Sequence, residues 1–265
     1  MLFDQPATAL TGCERALALA LLVSSLELLQ VRAAFSERGV WRFDILRREH
    51  ALLPAVLRGL CALLFPYRAF LVLLGLQLIA AALLLCAGVR EVLPWLWFSH
   101  VAVCVRFRGA YNGGSDAMLL LVALALSVAQ IVAPEALVSR ACLLYIAVQV
   151  TLSYFIAGIT KLKEPEWRDG SALTSFLAAS TYPAAKRLNA ALGPRLRRVA
   201  ACGVLAFECL FPLAWLDPRL CGLWLAAGAV FHVLNTFVFG LNRFLFAWLA
   251  GYPALLFCSQ LLTQH

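Results

Sequence analysis

Runs of about twenty apolar residues, nearly free of charge, recur along this chain. A helix needs about 20 such residues to cross the hydrocarbon of a bilayer. Five runs meet this length cleanly: 69–89, 117–134, 141–160, 220–241 and 244–263. A sixth run, 199–216, carries one charge, and the runs 16–31 and 92–105 are marginal. We therefore expect an all-α, polytopic transmembrane helix bundle with about eight spans, within a range of roughly seven to nine.

The composition agrees with this class. Hydrophobic residues make up 63% of the 265 residues and charged residues only 14%, whereas a soluble domain carries about 25% charged residues. No segment is polar enough to form a separate soluble domain. We therefore expect one domain over residues 1–265, with its core at about 15–262, and a multi-pass protein whose main partner is the lipid bilayer.

Basic residues account for the net charge of +8 and collect outside the apolar runs, chiefly in 32–50 and 161–198. In membrane proteins such residues concentrate in cytoplasmic loops and orient the helices. The charge is thus explained without a nucleic-acid partner, and we expect none. The segment 51–67, interrupted by two prolines and an arginine, is expected to lie in the interface or to re-enter the membrane.

Cysteine and histidine spacing gives no indication of a metal site. Most of the nine cysteines lie in apolar runs, where cysteine acts as a small hydrophobic residue. No Cys-x-x-Cys pair occurs, so neither a zinc site nor a redox pair is indicated. The four histidines are scattered, without His-x3-His spacing on one helix, and we expect no metal ligand among them.

Ionisable side chains inside apolar runs need a partner or a task, because each costs about 2.5–3.5 kcal/mol at the membrane centre. Glu208 lies near the middle of its run. Lys161, Arg243 or His232 could pair with it, for structure or as part of a proton path, and the sequence leaves these alternatives open. His232 and Asn235 are three residues apart and share one helical face. That face either lines a cavity or holds neighbouring helices together.

Two lysines end the apolar run within YFIAGITKLKEPEWRDGSAL, residues 154–173. On a helix, Tyr154, Gly158 and Lys161 form one stripe, whereas Lys163 points elsewhere. Both lysines could extend to the membrane surface as anchors. Alternatively, Lys161 faces the bundle interior, where a lysine in a water-poor environment can act as a base.

Four segments, in this order, resemble the HTTM (horizontally transferred transmembrane) domain family across about residues 15–260: NGGSDAMLLLVALAL, YFIAGITKLKEPEWRDGSAL, the run around Glu208, and FHVLNTFVFGLNRFLF. The most specific element is the pattern aromatic-x-x-Ala-Gly-x-x-Lys-Leu followed by Trp-x-x-Gly. It is met here by Tyr154, Ala157, Gly158, Lys161, Leu162, Trp167 and Gly170.

The family includes the membrane part of vitamin K-dependent γ-glutamyl carboxylase, in which a lysine of this pattern deprotonates vitamin K hydroquinone. The resemblance implies a membrane-embedded enzyme for a quinone or another lipid-soluble substrate, with a quinone or vitamin K-like hydroquinone as cofactor. Lys161 would be catalytic, and the implied substrate-binding residues are Asn112, Tyr154, Glu208, His232 and Asn235. Glycines follow Asn112 where the carboxylase has an Asn-His pair, and the carboxylase's extramembrane region has no counterpart here. We therefore do not expect glutamate carboxylation.

A second function is compatible with the same resemblance. A bacterial branch of HTTM-like proteins takes part in maturing a secreted toxic peptide, in systems of the sporulation-delaying-protein type. The chain would then be a non-catalytic accessory protein of a bacterial cell membrane, with a peptide partner. A transporter is less favoured, because the sequence shows no internal repeat and no matched pair of broken helices. The choice between enzyme and accessory protein stays open at this level.

Overall fold

The computed structural model of the protein describes residues 5–107, 113–132 and 136–263. Every regular element within these ranges is a helix, which confirms the predicted all-α class. Packing divides the chain into two compact units. One is Glu14–Glu135, and the other joins Met1–Cys13 to Ala136–His265.

The Glu14–Glu135 unit is built from helices linked by short turns. Pro54 and Pro66 directly precede its third and fourth helices. Proline disfavours helical geometry in the residue before it, so neither helix extends further toward the N-terminus. Gly88, at φ 67°, ends the fourth helix, since glycine accepts this left-handed conformation without strain. The helices are α1 (Pro6–Gln30), which begins in the other unit, α2 (Phe43–Glu49), α3 (Ala55–Leu64), α4 (Tyr67–Ala87), α5 (Leu93–Phe107) and α6 (Gly114–Ile131).

Prolines also start four of the helices described in the second unit. Pro165, Pro183, Pro194 and Pro218 each stand at the beginning of a helix, where the missing backbone N–H removes no internal hydrogen bond. The helices are α7 (Ala136–Lys163), α8 (Pro165–Asp169), α9 (Ser171–Ala179), α10 (Pro183–Ala191), α11 (Pro194–Cys209), α12 (Pro218–Phe239), α13 (Asn242–Leu249) and α14 (Tyr252–Thr263).

Six helical stretches among the described residues are long and apolar enough to cross a membrane: α1, α4, α6, α7, α12 and the α13–α14 stretch. The protein is therefore an integral, multi-pass membrane protein. The expected number of about eight included the runs 92–105 and 199–216, which form the shorter helices α5 and α11. The proline-interrupted segment 51–67 forms the short helix α3, whose 10 residues cannot span a bilayer.

A buried arginine holds the Glu14–Glu135 unit together. Arg106 on α5 is fully buried; its Nε donates to the carbonyl of Phe65 at 3.0 Å and its Nη2 to the carbonyl of Phe35 at 3.3 Å. Its guanidinium carbon lies 5.3 Å from the ring centroid of Phe35 and 5.2 Å from that of Phe70. Cation–π contacts of this kind are strongest where water is excluded.

Two further polar contacts join α1 to later parts of the same unit. The side-chain nitrogen of Gln77 donates to the hydroxyl of Ser25 at 3.0 Å, and both residues are fully buried. Glu14 accepts a hydrogen bond from Nε of Arg90 at 2.7 Å. Hydrogen bonds between apolar helices of this kind fix which faces meet, because an unpaired polar group in hydrocarbon is costly.

We predict that Arg106→Met destabilises the protein. The substitution keeps a long side chain but leaves two buried carbonyls without their donors, at a cost of about 1–3 kcal/mol for each group. The midpoint of thermal unfolding in detergent, followed by circular dichroism, should fall by several degrees. Arg38 is exposed, so Arg38→Met is the matched control and should leave the midpoint unchanged. Equal midpoints for the two variants would contradict the role of Arg106.

Candidate ligand site at Lys161

The candidate site begins with an ion pair between two helices of one unit. Lys161 lies in the last turn of α7, and Glu208 lies near the end of α11. The lysine Nζ donates to both carboxylate oxygens at 2.7 Å. The Glu208 side chain is 3% exposed and the Lys161 side chain 24% exposed. Among the three partners that the sequence left open for Glu208, the structure selects Lys161.

Gly158 brings the two helices close enough for this pair. A Cβ atom at Gly158 would lie 2.7 Å from the backbone nitrogen of Cys209 and 2.8 Å from Cβ of Glu208. Real Cβ atoms essentially never approach neighbours below about 3.0 Å, so a glycine is required here. Because Gly158 and Lys161 are three residues apart, the contact that seats α11 also places Glu208 beside the lysine amine.

The α8 turn places an aromatic ring against the same lysine. Pro165 starts this turn directly after α7 ends, and Trp167 follows within it. The Lys161 amine lies 5.4 Å from the centroid of the Trp167 ring, within the range of a cation–π contact. Lys163, by contrast, is exposed. The two lysines are thus separated as their helical positions predict.

A second glycine joins α8 to α9. Gly170 has φ 85°, and a Cβ on it would lie 2.7 Å from Cα of Arg198. The exposed Asp169 accepts a hydrogen bond from the backbone N–H of Ser171 at 2.8 Å. This bond lowers the pKa of the Asp169 carboxyl. Gly170 therefore lets α9 begin in close contact with α11.

An apolar cavity of about 670 Å³ opens beside the lysine. Its walls come chiefly from α9, α11 and α12, and Tyr182 also lines it. Lys161 and Asn235 are among its polar lining residues. Gly240 lies in contact with the Tyr182 ring, so that any side chain at this position would collide with it. The cavity is thus a mostly apolar, open pocket with a few polar residues.

Tyr154 forms a separate hydrogen-bonded group in the same unit. Its hydroxyl lies 2.6 Å from Nε2 of His232 and 2.7 Å from the hydroxyl of Tyr252. Its ring stacks on Phe211 with centroids 4.1 Å apart. All three hydrogen-bonded residues are buried. This network satisfies the buried hydroxyls and joins α7, α12 and α14.

The structure brings some of the expected site residues together and separates others. Lys161 and Asn235 line the cavity, and Glu208 adjoins it through Lys161. Tyr154 and His232 belong to the buried network. The helical face that His232 shares with Asn235 therefore borders the network at one residue and the cavity at the other. Asn112 lies outside the described residues. The substrate-binding roles of these residues stay predictions.

No sequence motif marked the remaining walls of the cavity. They include Phe176 of α9, Val204 of α11, and Phe231 and Leu234 of α12. These are ordinary apolar residues on helices, and their convergence depends on how the helices pack. The short apolar piece 171–179 after Gly170 was the available signal, because a helix of this length cannot span the bilayer and must pack against a surface.

The fold and site define a helical membrane domain with an apolar chamber beside a lysine–carboxylate pair. The family model of the HTTM domain matches residues 122–260, slightly more than half of the chain. The protein therefore belongs to the HTTM family, as the sequence motifs predicted. No match was found among proteins of curated function or among solved structures.

The structure gives several residues of the family pattern a structural role. Tyr154 supplies the central hydroxyl of the buried network, and Gly158 permits the contact between α7 and α11. Lys161 pairs with Glu208 and faces Trp167. Gly170, the last residue of the pattern, allows the turn into α9. Except for Tyr154, which belongs to the separate network, these members of the pattern serve the geometry around one amine.

We predict that Gly158→Ala destabilises the protein and disturbs the ion pair. The added methyl group must displace the backbone of α11, at about 1–3 kcal/mol. Gly203 on α11 has open space around its Cα, so Gly203→Ala is the control and should be neutral or stabilising by up to about 1 kcal/mol. Thermal unfolding in detergent would measure both. A Gly158→Ala protein as stable as the control would contradict the close contact.

Proposed function

We propose that the protein binds an amphipathic, lipid-soluble small molecule in the cavity and removes a proton from it with Lys161. One observation carries this proposal: Lys161 lines an apolar cavity of about 670 Å³, and its amine is held by both oxygens of Glu208. A structural ion pair needs no adjoining chamber. A site for a hydrophobic ligand needs both the chamber and a small number of placed polar groups.

The size and lining of the cavity support a ligand with a compact ring system. Small-molecule sites measure about 300–1,000 Å³ and are mostly apolar, and this cavity falls within that range. Phe176 and Phe231 offer aromatic surfaces, while Lys161 and Asn235 offer polar contacts. A quinone or its hydroquinone has this character, with a flat apolar ring and oxygens at its edge. The resemblance to the carboxylase membrane part favours the same class.

The Lys161–Glu208 pair supports proton transfer in two steps. The proton first moves from Nζ of Lys161 to a carboxylate oxygen of Glu208 across the 2.7 Å hydrogen bond, so that two charges become a neutral pair. Low dielectric surroundings favour a neutral pair over separated ions. The neutral amine then accepts the proton of a ligand hydroxyl, which leaves a ligand oxyanion beside the lysine cation. General-base catalysis of this kind requires the ligand oxygen within hydrogen-bond reach of Nζ.

We predict that a bulky side chain in the cavity weakens ligand binding. Val204 lines the cavity on α11, so Val204→Trp should fill part of the chamber and reduce ligand binding. Val199 on the same helix is 66% exposed, and Val199→Trp is the matched control. Equilibrium dialysis of the detergent-purified protein with menadione, a small naphthoquinone, would measure binding. Mass spectrometry of lipid extracts would detect a quinone that co-purifies.

Loss of menadione binding in Val204→Trp, with normal binding in Val199→Trp, would support the cavity as the ligand site. Normal binding in both variants would place any ligand elsewhere. A wild-type protein that neither binds menadione nor carries a co-purified apolar molecule would contradict the proposal. It would favour the accessory role, in which the protein assists maturation of a secreted peptide.

We predict that Lys161 ionises a bound hydroquinone. Menadiol, the reduced form of menadione, changes its ultraviolet spectrum when a hydroxyl ionises. Under anaerobic conditions, wild-type protein should ionise bound menadiol at a pH at which free menadiol stays protonated. Lys161→Ala should lose this ionisation, and Lys163→Ala should retain it, because Lys163 is exposed.

Lys161→Ala leaves Glu208 buried without its cation, which is itself destabilising. The double variant Lys161→Met, Glu208→Gln removes both charges and should fold, bind menadiol and leave it protonated. Ionisation that persists in the double variant would overturn Lys161 as the base. Binding without ionisation in the wild-type protein would do the same and leave a ligand-binding function without catalysis.

A further inference from the structure

A second cluster of chemically active side chains lies within the Glu14–Glu135 unit. His100 and Cys104 are four residues apart on α5, which places them one above the other on one helical face. Asp116 lies in the first turn of α6, the helix that packs against α5. His100 is 1% exposed and Asp116 5% exposed. Residue spacing alone does not indicate this cluster. The pair on α5 is His-x3-Cys rather than His-x3-His, and the third member comes from another helix.

One ring nitrogen of His100 lies near the ligand atoms of both other residues. Nε2 of His100 lies 3.8 Å from Sγ of Cys104 and 3.9 Å from Oδ1 of Asp116. The ligand atoms of all three residues lie within 4.8 Å of one another. The separation of 3.9 Å between Nε2 and Oδ1 is longer than a hydrogen bond, which extends to about 3.2 Å for nitrogen and oxygen.

These separations are close to those that a tetrahedral metal ion imposes. Zinc binds sulfur at about 2.3 Å and nitrogen or oxygen at about 2.0–2.2 Å. Tetrahedral angles then place a nitrogen about 3.6 Å from a sulfur and about 3.4 Å from an oxygen. The two separations from Nε2 would have to shorten by only a few tenths of an ångström to reach these values.

Charge balance points in the same direction. Cys104 binds a metal as a thiolate after its proton leaves to solvent, Asp116 binds as a carboxylate, and His100 binds as a neutral imidazole. The three ligands would together supply two negative charges, which suits a divalent cation.

We propose that His100, Cys104 and Asp116 bind a divalent transition metal of the zinc class. Sulfur, imidazole nitrogen and carboxylate oxygen together suit zinc better than magnesium or calcium, which prefer oxygen ligands alone. Three protein ligands are the number found in zinc sites whose fourth position takes water or an exogenous donor. The proposal uses only residues of the Glu14–Glu135 unit and does not depend on a function for Lys161.

Cobalt titration of the whole protein tests this site. The detergent-purified protein, freed of metal by a chelator, is titrated anaerobically with Co²⁺, which substitutes for zinc and gives visible bands in tetrahedral sites. We expect one equivalent of cobalt per chain, a thiolate-to-cobalt charge-transfer band in the near ultraviolet, and displacement of both signals by Zn²⁺. Zn²⁺ should also raise the midpoint of thermal unfolding, because a ligand of the folded state stabilises it.

The variants separate the three ligands from the other cysteines. Cys104→Ser should lose the charge-transfer band, and Asp116→Asn should weaken cobalt binding while keeping the band at saturation. Cys86 is exposed in the same unit, so Cys86→Ser is the matched control and should match the wild-type protein. Circular dichroism and size-exclusion chromatography establish that each variant is folded, and Asp116→Asn carries the test should Cys104→Ser fail to fold.

Three results would overturn the proposal. The first is no cobalt binding by the wild-type protein. The second is a charge-transfer band that survives in folded Cys104→Ser or disappears in Cys86→Ser. The third is metal affinity in Asp116→Asn equal to that of the wild-type protein. Any of them would leave the three side chains as an internal polar contact between α5 and α6.

Discussion

Polar groups inside a bilayer have no water with which to form hydrogen bonds, so each needs a partner within the protein. This constraint organises both units of the chain. In one, the guanidinium of Arg106 satisfies two backbone carbonyls and lies between aromatic rings. In the other, Lys161 compensates Glu208, and Tyr154 holds a histidine and a second tyrosine. Each contact joins elements far apart in sequence, and each specifies how apolar helices, otherwise interchangeable, must pack.

The ion pair depends on a glycine as well as on the two charges. Gly158 lets the backbone of α11 approach α7 closely, and only then does the carboxylate of Glu208 come within reach of the lysine. Trp167 and the turn at Gly170 follow at once and bring α9 over the same region. A compact stretch of sequence thereby builds the amine, its counter-ion contact and one wall of the chamber.

The two candidate sites use buried charge differently. At Lys161 a cation and an anion neutralise each other, and one of them also faces an apolar cavity large enough for a small molecule. At His100 the described donors are a ring nitrogen, a sulfur and a carboxylate, a set that a divalent cation would neutralise. Both arrangements keep net charge low in a water-poor environment, yet each leaves room for chemistry: a proton that moves, or a coordination position open to exchange.

By itself the sequence determined the membrane class, the all-α architecture and the HTTM family. It also distinguished Lys161 from Lys163. These results depend on local signals. Apolar length, prolines at helix starts and helical periodicity act over a few turns. Tertiary structure alone decided that Glu208 pairs with Lys161, that His232 and Asn235 serve different surroundings, and that Asp116 meets His100 and Cys104. These outcomes depend on which helix faces pack together, and one apolar face resembles another until close contacts and buried partners distinguish them.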